Sequence, residues 1–353
     1  MRRFPIYSNT SLIYALVLSF SAAVWAQSDK KPQTTISEER ASESGMVEID
    51  VSDIVGRPLH TVVEFVDSRG SLVRSVEFPS GIGETSLPRG RYEAHVSVAH
   101  MGALFLVEVK PIQVSGQEAA YLLVSLAEGS ANLGLHEFDR DTDLVIDRVE
   151  LAVGTDPDDP KSLPGHETLE WPSPVLSSDA GWYVGDLHTF TDASIGSESV
   201  SKLVSRAERS KLDFLAITDR NTLAHTRDRG YRSNSVVLIP AMEWGTDDSG
   251  YALILKPGTV PRPANGDLHA QTVLDRVVQQ GGVFAPAHPC FPTSPWLRTI
   301  GYFNAVEVWC REWRMIPPLT PRALPEHLLA TSESKLLYPV ARAAQSSLHS
   351  AKI

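Results

Sequence analysis

Residues 212–222 read LDFLAITDRNT, a continuous apolar run that breaks off at Thr218-Asp219-Arg220. An apolar run without polar alternation is what a parallel strand covered on both faces requires. The pattern returns in VVLIP (236–240), GGVFAPA (281–287), NAVEVW (304–309) and PVARAA (339–344). Between these runs, Val200, Leu203, Val204 and Ala207 repeat at helical spacing, as do Val273, Leu274, Val277 and Val278. Strands alternating with helices predict an α/β domain over residues 180–353, built as a barrel or as an open parallel sheet.

Upstream, the period changes. MVEIDVS, HTVVEFVD, LVRSVEFP, RYEAHVSV and ALFLVEVKPIQV alternate with period two, separated by turn residues such as Val55-Gly56-Arg57-Pro58 and Pro88-Arg89-Gly90. A small all-β sandwich is expected over 46–128. Its VGRPLHTVVEFVDSRG and LPRGRYEAHVSV segments resemble carboxypeptidase-regulatory-like or starch-binding-like modules, which implies a packing or adhesion role without chemistry. Before it, Arg2 and Arg3 precede the apolar stretch Leu12–Ala23, with small residues Val24 and Ala26 ahead of Gln27. That pattern predicts a signal peptide over 1–26, a polar flexible linker over 27–45, and a secreted or periplasmic product with no membrane span after cleavage.

The whole chain has 353 residues, 42% hydrophobic and 21% charged, with a formal net charge of -11. The size allows two or three cores. An acidic balance without a basic face argues against a nucleic-acid partner, and leaves a protein or a small anionic ligand as the partner classes.

Between the two domains, over 136–165, lies DRDTDLVIDRVELAVGTDPDDP. Asp139, Asp141, Asp143, Asp147 and Glu150 stand at positions 1, 3, 5, 9 and 12 of a calcium loop. Alternate residues of a tight loop converge their oxygens on one hard cation, and the twelfth closes it bidentately. Position 6 is ordinarily Gly, and Leu144 stands there; a branched side chain resists positive φ. The segment is therefore a calcium loop or a solvated acidic linker.

The strand ends carry a further pattern: GDLHTFTDASIG, LDFLAITDRNT, IPAMEWGTDDSGYALIL, GGVFAPAHP, NAVEVW and YPVARAAQSSLHS, in that order. Together, over Trp182 to His349, they resemble the PHP (polymerase and histidinol phosphatase) superfamily, in its secreted carbaryl-hydrolase-like branch. The resemblance implies a distorted (β/α)7 barrel, with His, Asp and Glu at the C-terminal strand ends holding divalent metals for ester or phosphoester hydrolysis. It implies residual metal ligands His188, Glu243, His288 and His349. The remaining ligand positions are altered: Phe190 replaces the second His of His-x-His, Ile195 replaces a carboxylate, Arg220 and Tyr251 each replace a His, and Ser347 replaces the Asp of the closing motif. Arg220 would place a fixed positive charge at a cation position, or pair with Glu243 or Asp219. Asp186 and Asp219 precede metal ligands in the family and orient them there, or here cap turns. His225 and His269 lie off the motifs and are expected at the surface.

Cys290 follows GGVFAPA and Cys310 follows NAVEVW, the fourth and fifth strands when GDLHTF is counted as the first. As barrel neighbours they would share a rim, leaving a disulfide and two free thiols both open. The chain ends four residues after His349, where relatives continue, so an incomplete barrel or a decayed gene is expected. The resemblance thus implies a catalytically degenerate PHP-like binding module, or alternatively a residual hydrolase using one divalent transition metal (zinc, manganese or iron).

Overall fold

A computed structural model describes residues 44–116, 118–127, 134–172, 176, 181–289 and 294–307. The signal segment, Cys290, Cys310, Ser347, His349 and the run at 339–344 lie outside the described residues.

Seven strands form the first layer pair: β1 Ser44–Asp53, β2 Thr61–Asp67, β3 Leu72–Phe78, β4 Ile82–Pro88, β5 Gly90–His100, β6 Ala103–Val114 and β7 Ala120–Leu126. They make a three-stranded sheet ordered β4-β1-β7 and a four-stranded sheet ordered β3-β2-β5-β6. The alternation seen in the sequence decides which face turns inward. Val47, Ile49 and Val51 of β1 bury against Val63, Phe65, Val96 and Val98 from the other sheet, each such burial contributing about 1.5–3 kcal/mol.

The acidic segment folds onto this sandwich. Leu135, Val145, Ile146, Val149 and Leu163 belong to the same core, and Val145 forms a parallel bridge with Leu106 of β6. The short helix α1, Asp147–Val153, follows and ends on Gly154 in the left-handed conformation.

The second part holds β8 Gly185–Thr189, α2 Val200–Arg209, β9 Phe214–Ile217, β10 Val237–Thr246, β11 Gly250–Leu255, α3 Asp267–Gln279 and β12 Val283–Pro286. Their five strands form one sheet ordered β12-β11-β10-β9-β8. β8, β9 and β10 are mutually parallel; β11 runs against β10, and β12 against β11. α2 sets Val200, Val204 and Ala207 on Leu215 and Ile217. α3 sets Ala270, Leu274 and Val277 on Ile254, Phe284 and Trp244. A third side of α3 touches the sandwich, where the Leu104 amide donates to Thr272 Oγ1 at 2.8 Å.

The distorted (β/α)7 barrel expected from the sequence is not what these residues build. Only α1, α2 and α3 are α-helices among the described residues, and the sheet is a mixed half-barrel. The physical reason sits at 245–250. The apolar run VVLIP continues through Glu243 to Thr246, and the chain then reverses directly into β11 instead of crossing over by a helix. Gly250 permits the reversal: its φ is +86°, and a Cβ there would lie 2.6 Å from the Pro295 carbonyl oxygen. Residues 304–307, expected in a strand, are not in one, although the Glu307 amide donates to the Pro286 carbonyl at 3.0 Å.

Candidate functional site

Because β11 alone is reversed, β8, β9, β10 and β12 all point the same way. Their C-terminal ends deliver His188, Asp219-Arg220, Glu243 and His288 to one edge of the sheet. Glu243 lies inside β10 and is fully buried. Its Oε1 is 3.3 Å from His188 Nε2 and 3.2 Å from His288 Nε2, and these three donor atoms all lie within 4.8 Å of one another. The three residues are a group placed to hold a metal ion. Glu307 stands behind them: its Oε1 is 3.0 Å from His188 Nδ1, and its Oε2 accepts the His288 amide at 2.6 Å.

Arg220 occupies the other oxygen of Glu243, its Nε donating to Oε2 at 2.7 Å. The guanidinium lies 4.4 Å over the Tyr251 ring, and the Tyr251 hydroxyl donates to Asp247 Oδ1 at 2.8 Å. Two substituted positions are thus locked together beside the carboxylate. Phe190 packs edge-on to the His188 ring, with centroids 5.1 Å apart. Ile195 is exposed and takes no part.

The charges nearly balance. Burial alone would lower the His188 pKa, but Glu243 and Glu307 outweigh it and raise it to about 9. Burial alone would raise Glu243, but His188, His288 and Arg220 bring it down to about 2. Protonated His188 and Arg220 therefore offset Glu243 and Glu307.

Asp219 has turned away from this cluster. It is fully buried and accepts from the Thr191 amide (2.7 Å), Thr191 Oγ1 (2.6 Å) and Ser194 Oγ (2.6 Å). His225 Nδ1 lies 3.2 Å from its Oδ2. Asp219 braces the loop after β8, and His225, expected at the surface, is buried as its neighbour. Asp186 Oδ1 accepts the His188 amide at 3.1 Å, a turn cap two residues away. His269 is partly buried and lines a pocket of about 70 Å³ with Glu64, His166, Arg262 and Arg276.

In the acidic loop, Asp139, Asp141 and Asp143 form the second group placed to hold a metal ion. Asp139 accepts the amides of Asp143 (3.2 Å) and Leu144 (2.9 Å), and Asp143 Oδ1 accepts that of Val145 at 2.7 Å. Leu144 takes φ +72° despite its branched side chain; that side chain is buried in the sandwich core, which offsets the backbone strain. Asp147 is not brought into the group, since Arg140 Nε and the Arg140 amide occupy its two oxygens at 2.6 and 3.0 Å. Glu150 is fully buried, and neither of its oxygens has a hydrogen-bond partner among the described residues. Burial and the neighbouring aspartates raise its pKa to about 8, and burial raises Asp143 to about 8 as well.

Sequence reasoning missed Glu307, which lay inside a run taken as a plain apolar strand. An acidic residue in an otherwise apolar NAVEVW was the signal available. No protein-family model matches the chain, and no curated protein matches it.

Proposed function

We propose that this edge of the sheet is a one-cation centre, in a protein related through its site residues to the PHP metal-dependent phosphoesterases. The ligands are His188 Nε2, Glu243 Oε1 and His288 Nε2, and the ion is a divalent transition metal (zinc, manganese or iron). One observation carries this reading. A charge-assisted N–H···O bond is ordinarily about 2.7–2.9 Å, and the two His–Glu243 distances, 3.3 and 3.2 Å, are longer than that. Two ligand bonds of about 2.0–2.1 Å at the tetrahedral angle put their donor atoms about 3.3 Å apart. Three protein ligands leave a position open for substrate or water, and the two histidines reach the surface, with side chains 14% and 12% exposed.

A divalent ion in this set would act as a Lewis acid on a phosphoryl or carbonyl oxygen and would acidify water. The protein's own groups do the positioning. To ligate an ion, the protonated His188 would have to release its Nε2 proton. Glu307, 3.0 Å from Nδ1, would keep the other proton there and so fix the tautomer with Nε2 free for the ion. Arg220 neutralises the second Glu243 oxygen and, 30% exposed, meets an anionic ligand arriving from solvent. The acidic loop, with hard oxygen donors only, is proposed for calcium.

A second reading has its own observation. The 2.7 Å Arg220–Glu243 pair satisfies the carboxylate without any metal, as a degenerate site serving as a binding module would. Elemental analysis of protein expressed with zinc, manganese and iron separates the two. Near one equivalent of transition metal, lost in Glu243→Ala and in His288→Ala, supports the one-cation centre. Less than about a tenth of an equivalent overturns it in favour of the degenerate module.

A further inference from the structure

The acidic loop lies where the sandwich meets the second sheet, and both sides hold it by its backbone. On the sandwich side, the Leu106 amide of β6 donates to the Leu144 carbonyl at 2.8 Å, and the Ile146 amide donates to the Leu106 carbonyl at 3.2 Å. On the other side, Arg276 Nε of α3 donates to the Asp143 carbonyl at 2.8 Å. Asp143 is thus a member of the carboxylate group and, beside the Leu104–Thr272 bond, an attachment point of α3.

The loop is also incomplete by the chemistry of its own side chains. Glu150 is fully buried with both oxygens unpartnered, and Asp143 Oδ2 and Asp141 Oδ2 are buried and unpartnered too. A buried carboxylate without a partner is costly. Among the described residues no lysine or arginine donates to either Glu150 oxygen, whereas Asp147, outside the group, has Arg140. Asp139, Asp141 and Asp143 each offer one carboxylate oxygen within 4.8 Å of the others. Glu150, buried close enough to feel Asp141 and Asp139, would have to move its carboxylate in to add to an ion that takes six to eight oxygens, the rest from water.

We propose that calcium in this loop is the clamp that joins β6 to α3. This rests on the reading of the loop as a calcium site. The ion would draw Asp139, Asp141, Asp143 and Glu150 to one centre and so fix the Asp143 carbonyl, which Arg276 grips. α3 leads through Gly281 and Gly282 into β12, whose end carries His288, so the clamp also fixes the base of the candidate metal centre.

The test uses the full chain, titrated with calcium by calorimetry and then compared by hydrogen exchange in 5 mM calcium and in chelator. Extracellular calcium modules bind with Kd about 10⁻⁴–10⁻³ M, so the site should fill. Expected is a rise of about tenfold or more in protection of the α3 amides over Asp267–Gln279, together with those of the loop. Arg276→Met should still bind calcium and lose the α3 response. Protection gained in the loop but not in α3 overturns the clamp and leaves the calcium site standing. No binding heat and no change anywhere overturns both. Glu150→Gln should remove the response; if it does not fold, the wild-type comparison and Arg276→Met still decide.

Discussion

Replacing Arg220 by Gln tests the electrostatics of the site most directly. Gln keeps a donor for Glu243 and removes the charge. A cation bonded to Glu243 Oε1 would lie about 5 Å from the guanidinium. A divalent ion and a unit charge at that separation repel by about 7 kcal/mol at an effective dielectric near 20. The Arg220 side chain is 30% exposed, and solvent screens most of that figure. About 1.4–2.8 kcal/mol should survive, which is ~10–100-fold in affinity. Zinc competition against a chelating dye, wild type beside Arg220→Gln, reads it at fixed pH and ionic strength. Affinity should rise in the variant by that factor. A Kd unchanged within about twofold, or weaker, would refute the placement of Arg220 beside a cation position.

Three other outcomes follow from the same geometry. Glu307→Gln should weaken zinc about 10–100-fold, because it loosens the His188 ring; unchanged affinity in the same dye assay would show that Glu307 positions nothing. Asp219 is pushed up by burial but brought down by His225, Ser194 and Thr191 to about 2, below its ordinary 3.8. A depressed carboxyl stabilises the fold above its unfolded pKa and loses that contribution, here about 2 kcal/mol, as pH falls through about 4 toward 2. Urea unfolding of wild type and Asp219→Asn should therefore show a stability gap at pH 6 that narrows at pH 2.5, and a constant gap counts against this account. Gly250→Ala should cost at least about 2 kcal/mol in urea unfolding, since φ is +86° and the new Cβ meets Pro295 and Trp296 backbone atoms at 2.6 and 2.7 Å; a neutral result would mean the β10–β11 reversal is drawn wrongly.

The sequence showed some of this plainly and hid the rest for identifiable reasons. Apolar runs at LDFLAI and VVLIP mark β9 and β10 because a strand covered on both faces has no polar side to show. Period-two alternation marks β1 as clearly. The direction of β11 was not legible. An apolar strand reads the same whichever way it runs, and the turn signal in Asp-Asp-Ser-Gly marks a reversal without saying whether a helix follows it. The barrel expectation rested on the family resemblance, which implies a helix crossover after each strand, and the reversal at 247–250 replaces one such crossover. At the site, His188, Glu243 and His288 stood at strand ends in the sequence, and the structure brings them together. Asp219 and Glu307 had their roles hidden, because each acts on residues 28 and 119 positions away, distances that only the fold closes. Leu144 shows the opposite limit: local preference argued against its φ of +72°, and packing in the core overrode it.

β1 sits between β4 and β7, and its pairing with β7 joins Val47 to Ala120, 73 residues apart. The hairpin of β5 and β6 can zip as soon as it is made, whereas closing so long a loop is slow. As the chain emerges from the ribosome, β1 waits with a free edge until β7 arrives. During that interval its VEIDV core is a template for other chains. Glu48 and Asp50, on its exposed face, set like charges along any stack of such strands and make mispairing with identical neighbours unfavourable.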